Sequence, residues 1–179
     1  MDYRLVYDIT TTWPPLWFPA FGLIFVALGA LLWRSRHAPW VGWNTRWPYR
    51  TSPQARALFA GAMLGFSLLW TTTAAIQTLW SHASAVQAVR IGRTSIVVGK
   101  VEDFHPMPSG GHGSERFRVG DVHFAYSDDA VTSAFHHTTA RGGPMKPDLY
   151  VRIHYTGLQR DATILMLEIW DGSTSAAAP

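Results

Sequence analysis

The chain of 179 residues contains 15 lysines and arginines, 12 acidic residues and no cysteine, and its mean hydropathy is +0.02. The lack of cysteine excludes a disulfide framework, a thiolate metal site and a cysteine nucleophile. The near-zero mean hydropathy hides a division of the chain. Up to residue 79 it is dominated by Trp, Phe, Leu, Ala and Gly and has no lysine, whereas nearly all acidic residues follow Val101. This asymmetry separates a membrane portion from an aqueous portion.

The first long uncharged stretch predicts a transmembrane helix over residues 14–33, preceded by an N-terminal flank of residues 1–13. Residues 15–33 would form a helix of roughly 28 Å, close to the thickness of the hydrocarbon core of a bilayer. Pro14 and Pro15 suit the start of a helix, where their missing amide donors would have no partner. A cleaved signal peptide is disfavoured, because the region before the apolar core is too long and too acidic.

A second uncharged stretch predicts another transmembrane helix over residues 56–82. Its second half is less apolar and carries four polar residues: Thr71, Thr72, Thr73 and Gln77. Lipid tolerates such side chains where they bond to helix carbonyls or where the polar face packs on another helix. Gly61 and Gly65 form a GxxxG pair that permits the close approach of a second helix, so we predict that they lie in a helix contact.

The connection between the two helices, residues 34–55, is rich in arginine and tryptophan and contains no acidic residue. The arginines in this loop and at its ends are Arg34, Arg36, Arg46, Arg50 and Arg56. Because positive charge in short loops favours the cytoplasmic side, they predict a cytoplasmic loop with both termini outside. In a bacterium this describes a multi-pass inner-membrane protein whose soluble domain lies in the periplasm. The interleaved aromatic residues leave open a second role, contact with an anionic lipid surface.

After a linker of residues 83–93, residues 94–170 predict a small all-β domain, followed by a disordered tail of residues 171–179. Apolar and polar residues alternate on either side of Gly120-Asp121, a pattern typical of a β-hairpin. The predicted strands cover residues 95–101, 117–119, 122–126, 149–155 and 164–169. About five short strands favour a barrel of the OB or SH3-like kind. The predicted fold is therefore a membrane α-helical hairpin of two transmembrane helices joined to a small all-β barrel.

Several short motifs of this region carry a resemblance to known sequences. They are VEDF at residues 101–104, HPMPSGGH at 105–112, ERFRVGDVHFAYSDD at 115–129, GGP at 142–144, LYVRIHY at 149–155 and ILMLEI at 164–169. In this succession the chain resembles uncharacterised proteobacterial two-helix inner-membrane proteins that carry a small β-barrel domain of unknown function. The resemblance spans roughly residues 97–169. It implies an envelope protein without an established activity, and it implies no catalytic residue.

Six of the eight histidines lie in the predicted β domain: His105, His112, His123, His136, His137 and His154. Imidazole is the commonest protein ligand for metals, so the histidines of the two long polar loops are the candidate metal ligands. These are His105, His112, His136 and His137. Their spacing matches no compact metal motif, and adjacent histidines on a strand point to opposite faces. We therefore predict no metal site and no cofactor.

The chain has carboxylates, but its sequence contains no GxSxG elbow, P-loop, HExxH motif or catalytic constellation of paired acids. Without a nucleophile held beside a base, we predict that it is not an enzyme. Nucleic-acid binding is also disfavoured, because the β domain has more acidic than basic residues and is predicted to lie outside the cytoplasm.

These observations predict a non-enzymatic, membrane-anchored interaction or accessory protein of the bacterial envelope. Its partners would be the lipid bilayer and either another membrane or envelope protein or a second copy of the chain. The alternative is a periplasmic metal- or ligand-binding sensor domain that uses the loop histidines.

Overall fold

The structure is a computed structural model, and it describes residues 3–35, 53–108 and 113–172. Most of the predicted cytoplasmic loop and of the predicted tail lies outside these residues. The candidate residues outside the described ranges are Arg36, Arg46, Arg50 and His112.

One compact part of the chain, Pro15–Trp80, is called here the helical unit. It contains α1 (Trp17–Ser35) and most of α2 (Pro53–Arg90). Both helices are long and apolar enough to cross a membrane. Only 17% of the apolar window of α1 and 11% of that of α2 is buried, whereas a core helix of a soluble protein would be mostly buried. Length, composition and exposure therefore fit the predicted transmembrane pair, and the crossing itself stays a prediction.

The helix α2 extends through most of the predicted linker and ends at Arg90. Residues 81–90 contain neither glycine nor proline, so nothing in them interrupts a helix. The helix stops before Gly92, whose φ of 69° lies in the left-handed region. The amide of Arg93 donates to the carbonyl of Ala88 at 2.8 Å, which is the long bond of a Schellman cap.

The second compact part, Met1–Pro14 with Ser81–Pro179, is called here the β unit. Its strands are β1 (Tyr3–Asp8), β2 (Ser95–Lys100), β3 (Glu102–His105), β4 (Glu115–Val119), β5 (Val122–Tyr126), β6 (Tyr150–Leu158) and β7 (Asp161–Trp170). They form one seven-stranded sheet in the order β2-β6-β7-β5-β4-β3, with β1 also paired to β7. All described pairings are antiparallel except that of β5 with β7.

The prediction of about five strands closed into a barrel is wrong in both strand number and closure. The predicted runs match β2, β4, β5, β6 and β7, but β1 and β3 were not predicted. β2 and β3 lie at opposite ends of the sheet order, although only Val101 separates them in the chain. The chain passes there from β6 to β4, because the amide of Val101 still donates to Leu149 just before β6, whereas β3 pairs with β4. The described strands therefore form an open, bent sheet.

Strand β1 brings the N-terminal flank into the sheet. It runs antiparallel to β7, from Tyr3 opposite Trp170 to Asp8 opposite Met166. Because β1 precedes α1 and pairs with the last strand, cleavage after α1 would remove a strand of the sheet. The pairing therefore argues against a cleaved signal peptide.

The core of the β unit lies on one face of the bent sheet. Burial alternates along β4 and β5, as expected for strands with one face covered. The rings of Phe117 and Phe124 stack across these two strands with centroids 5.1 Å apart. A Cβ added to Gly99 of β2 would lie 3.2 Å from Val119 of β4, so the glycine permits the close approach of these strands.

Candidate functional site

Glu115 is fully buried in the β unit, at the start of β4. Its carboxylate accepts hydrogen bonds from the hydroxyl of Tyr126 at 2.5 Å, from the amide of Thr139 at 2.8 Å and from the Thr139 hydroxyl. Burial raises the pKa of the Tyr126 phenol, and the hydrogen bond to Glu115 raises it further, so the phenol remains a donor. These bonds attach the long loop of residues 127–149 to the sheet.

A second carboxylate, Asp128, has a side chain only 3% exposed. It accepts from the amide of Thr138 at 3.1 Å and from the Thr138 hydroxyl. Burial alone would raise the pKa of Asp128, but the bonds from Thr138 and the charges of Arg141 and His137 outweigh it and lower the pKa. Asp128 lies in a turn, and residues 130–135 after it form bends and irregular structure.

Both carboxylates are therefore bound within the β unit. Asp128 accepts from Thr138 and Glu115 accepts from the next residue, Thr139. These two threonines lie at the start of the 3₁₀ turn Thr139–Arg141. All of these bonds hold one loop in place, which fits a structural role. Sequence reasoning missed this pair, although the alternation of β4 places Glu115 on the same face as the core residues of that strand.

The candidate metal ligands are only partly brought together. His136 and His137 lie in the long loop with their rings stacked, 5.4 Å between centroids, rather than on opposite faces of a strand. Nδ1 of His136 lies 2.8 Å from the carbonyl of Ala134, whereas His105 belongs to β3. The described residues contain no group of three or more His, Asp or Glu side chains placed to hold a metal ion, and His112 lies outside them.

The predicted helix-packing pair, Gly61 and Gly65, has two different environments on α2. A Cβ on Gly61 would come within 3.1 Å of the ring of Trp33 on α1, whereas a Cβ on Gly65 would meet nothing within 4 Å. Of the two glycines, only Gly61 therefore lies against α1. A contact of Gly65 with a further helix stays a prediction.

Two glycines of α1 that were not predicted lie against α2 at short distance. A Cβ on Gly29 would lie 2.9 Å from the Cα of Leu64, and a Cβ on Gly22 would lie 2.3 Å from Oγ1 of Thr71. Gly22 and Gly29 are seven residues apart, so they lie on the same side of α1, two turns from each other. This spacing is the signal that could have found them.

A groove of about 680 Å³ opens on the outward side of β3, β4 and β5, and we call it the Ala125 groove. In the paired strands, Ala125 lies opposite Arg116, which in turn lies opposite His105. Because alanine is small, space opens between its larger neighbours. The polar side chains of the groove are Asp103, His105, Arg116, His123 and Arg160.

A second exposed region lies on the other half of the sheet, and we call it the outer sheet face. One row of paired residues crosses four strands there: Val98, Arg152, Glu168 and Leu5. Its large apolar residues are among the exposed ones of the β unit: Leu5 at 51%, Ile96 at 57%, Val98 at 48% and Trp170 at 40%. Exposed apolar side chains gathered on one sheet face are typical of an interaction surface.

No known protein family, curated protein or solved structure matches the chain. The resemblance to uncharacterised proteobacterial membrane proteins therefore stays a prediction.

Proposed function

We propose that the protein is a non-enzymatic, membrane-anchored interaction protein of the bacterial envelope, and that its β unit binds a protein partner. The observation that carries this proposal is the outer sheet face, an exposed apolar and aromatic surface on a unit joined to two membrane-length helices. Soluble monomeric proteins rarely leave such a surface uncovered.

The pairing of β1 with β7 supports the proposed topology. β1 precedes both helices in the chain and β7 follows them. Two strands can pair only if they lie on the same side of a membrane, and two crossings between them satisfy this condition. The arginine-rich loop would then lie on the opposite side, which the positive-inside rule makes the cytoplasm.

The composition of the outer sheet face favours a protein partner over a lipid surface. Arg152 forms an ion pair with Glu168 at the middle of the face, and its guanidinium lies 4.4 Å from the ring centroid of Tyr3. Tyr150 and Trp170 contact each other edge to face, with centroids 6.1 Å apart. Protein interfaces concentrate tryptophan, tyrosine and arginine, whereas a carboxylate is unfavourable against anionic lipid.

The topology predicts the activity of reporters fused to the chain in a Gram-negative host. A reporter that works only in the periplasm should be active before residue 1 and after residue 172, and inactive within residues 36–52. A reporter that works only in the cytoplasm should give the reverse pattern. Termini on opposite sides of the membrane would contradict the proposal, because β1 could then not pair with β7.

A photo-crosslinking amino acid in place of Val98 is expected to capture a protein partner in intact cells. The matched control is Leu158, which is 80% exposed at the turn between β6 and β7 and lies outside the outer sheet face. An adduct of twice the mass of the chain would identify the partner as a second copy. If Val98 and Ile96 both give no protein adduct while the protein is present in the membrane, the proposed function is wrong.

A further inference from the structure

Among the residues that the structure describes, two arginines of the Ala125 groove have no carboxylate partner. Nε of Arg116 donates to the hydroxyl of Ser114 at 3.0 Å, and Arg160 has no hydrogen bond or ion pair of its side chain within the described part of the chain. Arg118 provides the contrast two residues further along β4. It binds two carboxylates, Glu102 at 2.7 Å and Asp103 at 2.9 Å. The positive charge of Arg116 and Arg160 is thus uncompensated, unlike that of their neighbour.

A bulge in β3 explains why the one acidic residue of the groove does not cancel this charge. The pairing register shifts between Glu102 and His105, and Asp103 has a left-handed φ of 50°. This backbone turn brings the Asp103 carboxylate to Arg118. Nδ1 of His105 donates to the carbonyl of Asp103 at 2.8 Å, which fixes the ring at the edge of the groove. Bulges often orient side chains beside binding sites in this way.

We propose that the Ala125 groove binds a phosphate group, with Arg116 and Arg160 as its charged ligands and the imidazoles of His105 and His123 as further hydrogen-bond partners. Guanidinium groups suit phosphate because they donate paired N–H groups to its oxygens. The groove volume of about 680 Å³ lies in the range of small-molecule sites, so a phosphate ester also fits. The site is independent of the proposed function, because the outer sheet face lies on other strands.

The test is thermal unfolding of the full-length protein in a detergent with an uncharged head group. A ligand that binds only the folded state raises Tm in a saturable way. Inorganic phosphate should therefore raise Tm more than chloride at equal ionic strength. Either substitution, Arg116→Gln or Arg160→Gln, should weaken the apparent affinity for phosphate about tenfold or more. Hydrogen bonds between charged groups are stronger than those between neutral groups.

Two further variants distinguish binding of phosphate in the groove from non-specific attraction of phosphate to positive charge. Ala125→Phe keeps every charge and fills the groove, so it should abolish the response to phosphate. Arg93→Gln removes an exposed positive charge outside the groove and should leave the response unchanged. Each variant's Tm in chloride shows that it folds. A loss of the response in Arg93→Gln as large as that in Arg116→Gln would overturn the proposal.

A second titration distinguishes a free phosphate from a lipid head group. Phosphatidylglycerol is added to the same micelles, at the phosphorus concentration used for inorganic phosphate. If phosphatidylglycerol raises Tm more than inorganic phosphate does, and Arg116→Gln abolishes this rise, the groove binds the phosphate of a lipid head group. If it raises Tm no more than inorganic phosphate does, the groove binds the phosphate of a soluble compound. No shift with either probe contradicts it.

Discussion

Replacement of Glu115 by alanine is expected to lower the free energy of unfolding of the β unit by about 3–5 kcal/mol. The substitution removes a fully buried side chain and leaves the hydroxyl of Tyr126 and both donors of Thr139 without an acceptor. The buried phenol of Tyr126, left without an acceptor, costs about 1–3 kcal/mol, and the vacated space adds a cavity. Domains are stable by only about 5–15 kcal/mol, so the variant should be close to unfolding.

Hydrogen exchange of the amides of β4 and β7 measures this effect separately from the helices, because it reports the opening of the sheet. The matched control is Glu102→Ala, which removes a half-exposed glutamate paired to Arg118. It should cost at most about 1 kcal/mol, as exposed ion pairs do. Tyr126→Phe should also cost only about 1 kcal/mol, because Glu115 keeps its bonds to Thr139. Equal losses of protection in Glu115→Ala and Glu102→Ala would contradict the structural role of the buried carboxylate.

Five of the strands are predictable from the sequence because their signals are local. The hairpin of β4 and β5 has alternating side chains on either side of a glycine turn, and Gly120 indeed has a left-handed φ of 57°. β2, β6 and β7 are rich in branched apolar residues. Such patterns identify a strand whatever it pairs with.

The two missed strands owe their structure to distant partners. β1 (YRLVYD) is short and carries charge, and its partner β7 begins at Asp161, far along the chain. β3 (EDFH) has four residues, two of them acidic, and it exists because the chain bends at Val101 and meets β4. No local pattern encodes these pairings. The barrel prediction failed for the same reason, since closure depends on which strands meet at the ends of the sheet.

The candidate binding surfaces likewise depend on long-range contacts that no local sequence pattern encodes. Arg116 and Arg118 alternate with core residues of β4 and are indistinguishable in the sequence pattern. Only the bulge at Asp103 decides that Arg118 is paired with carboxylates and Arg116 is not. The sequence suggested the histidines as candidate metal ligands. The structure instead places His105 in one groove with Arg116 and Arg160.

Replacement of Gly29 by alanine is expected to destabilise the helical unit by about 1–3 kcal/mol. The added Cβ would lie 2.9 Å from the Cα and 3.1 Å from the amide nitrogen of Leu64, so it meets backbone that a side-chain rotation cannot move. The helices would have to separate along the whole contact. Separation would also loosen the packing of Gly22 against Trp70 two turns away. The change in free energy is measured by titrating the purified protein with SDS and following the loss of contact between α1 and α2.

Gly65→Ala is the matched control, because its Cβ would meet nothing within 4 Å. Both substitutions gain the same helix propensity, up to about 1 kcal/mol, so the difference between them isolates the packing of α1 on α2. A loss of stability in Gly65→Ala as large as that in Gly29→Ala would mean that α2 contacts a further helix at Gly65, as the GxxxG pattern predicts. Unchanged stability in both variants would contradict the close approach at Gly29, and the two helices would then be held together by the sheet that joins β1 to β7 rather than by their own contact.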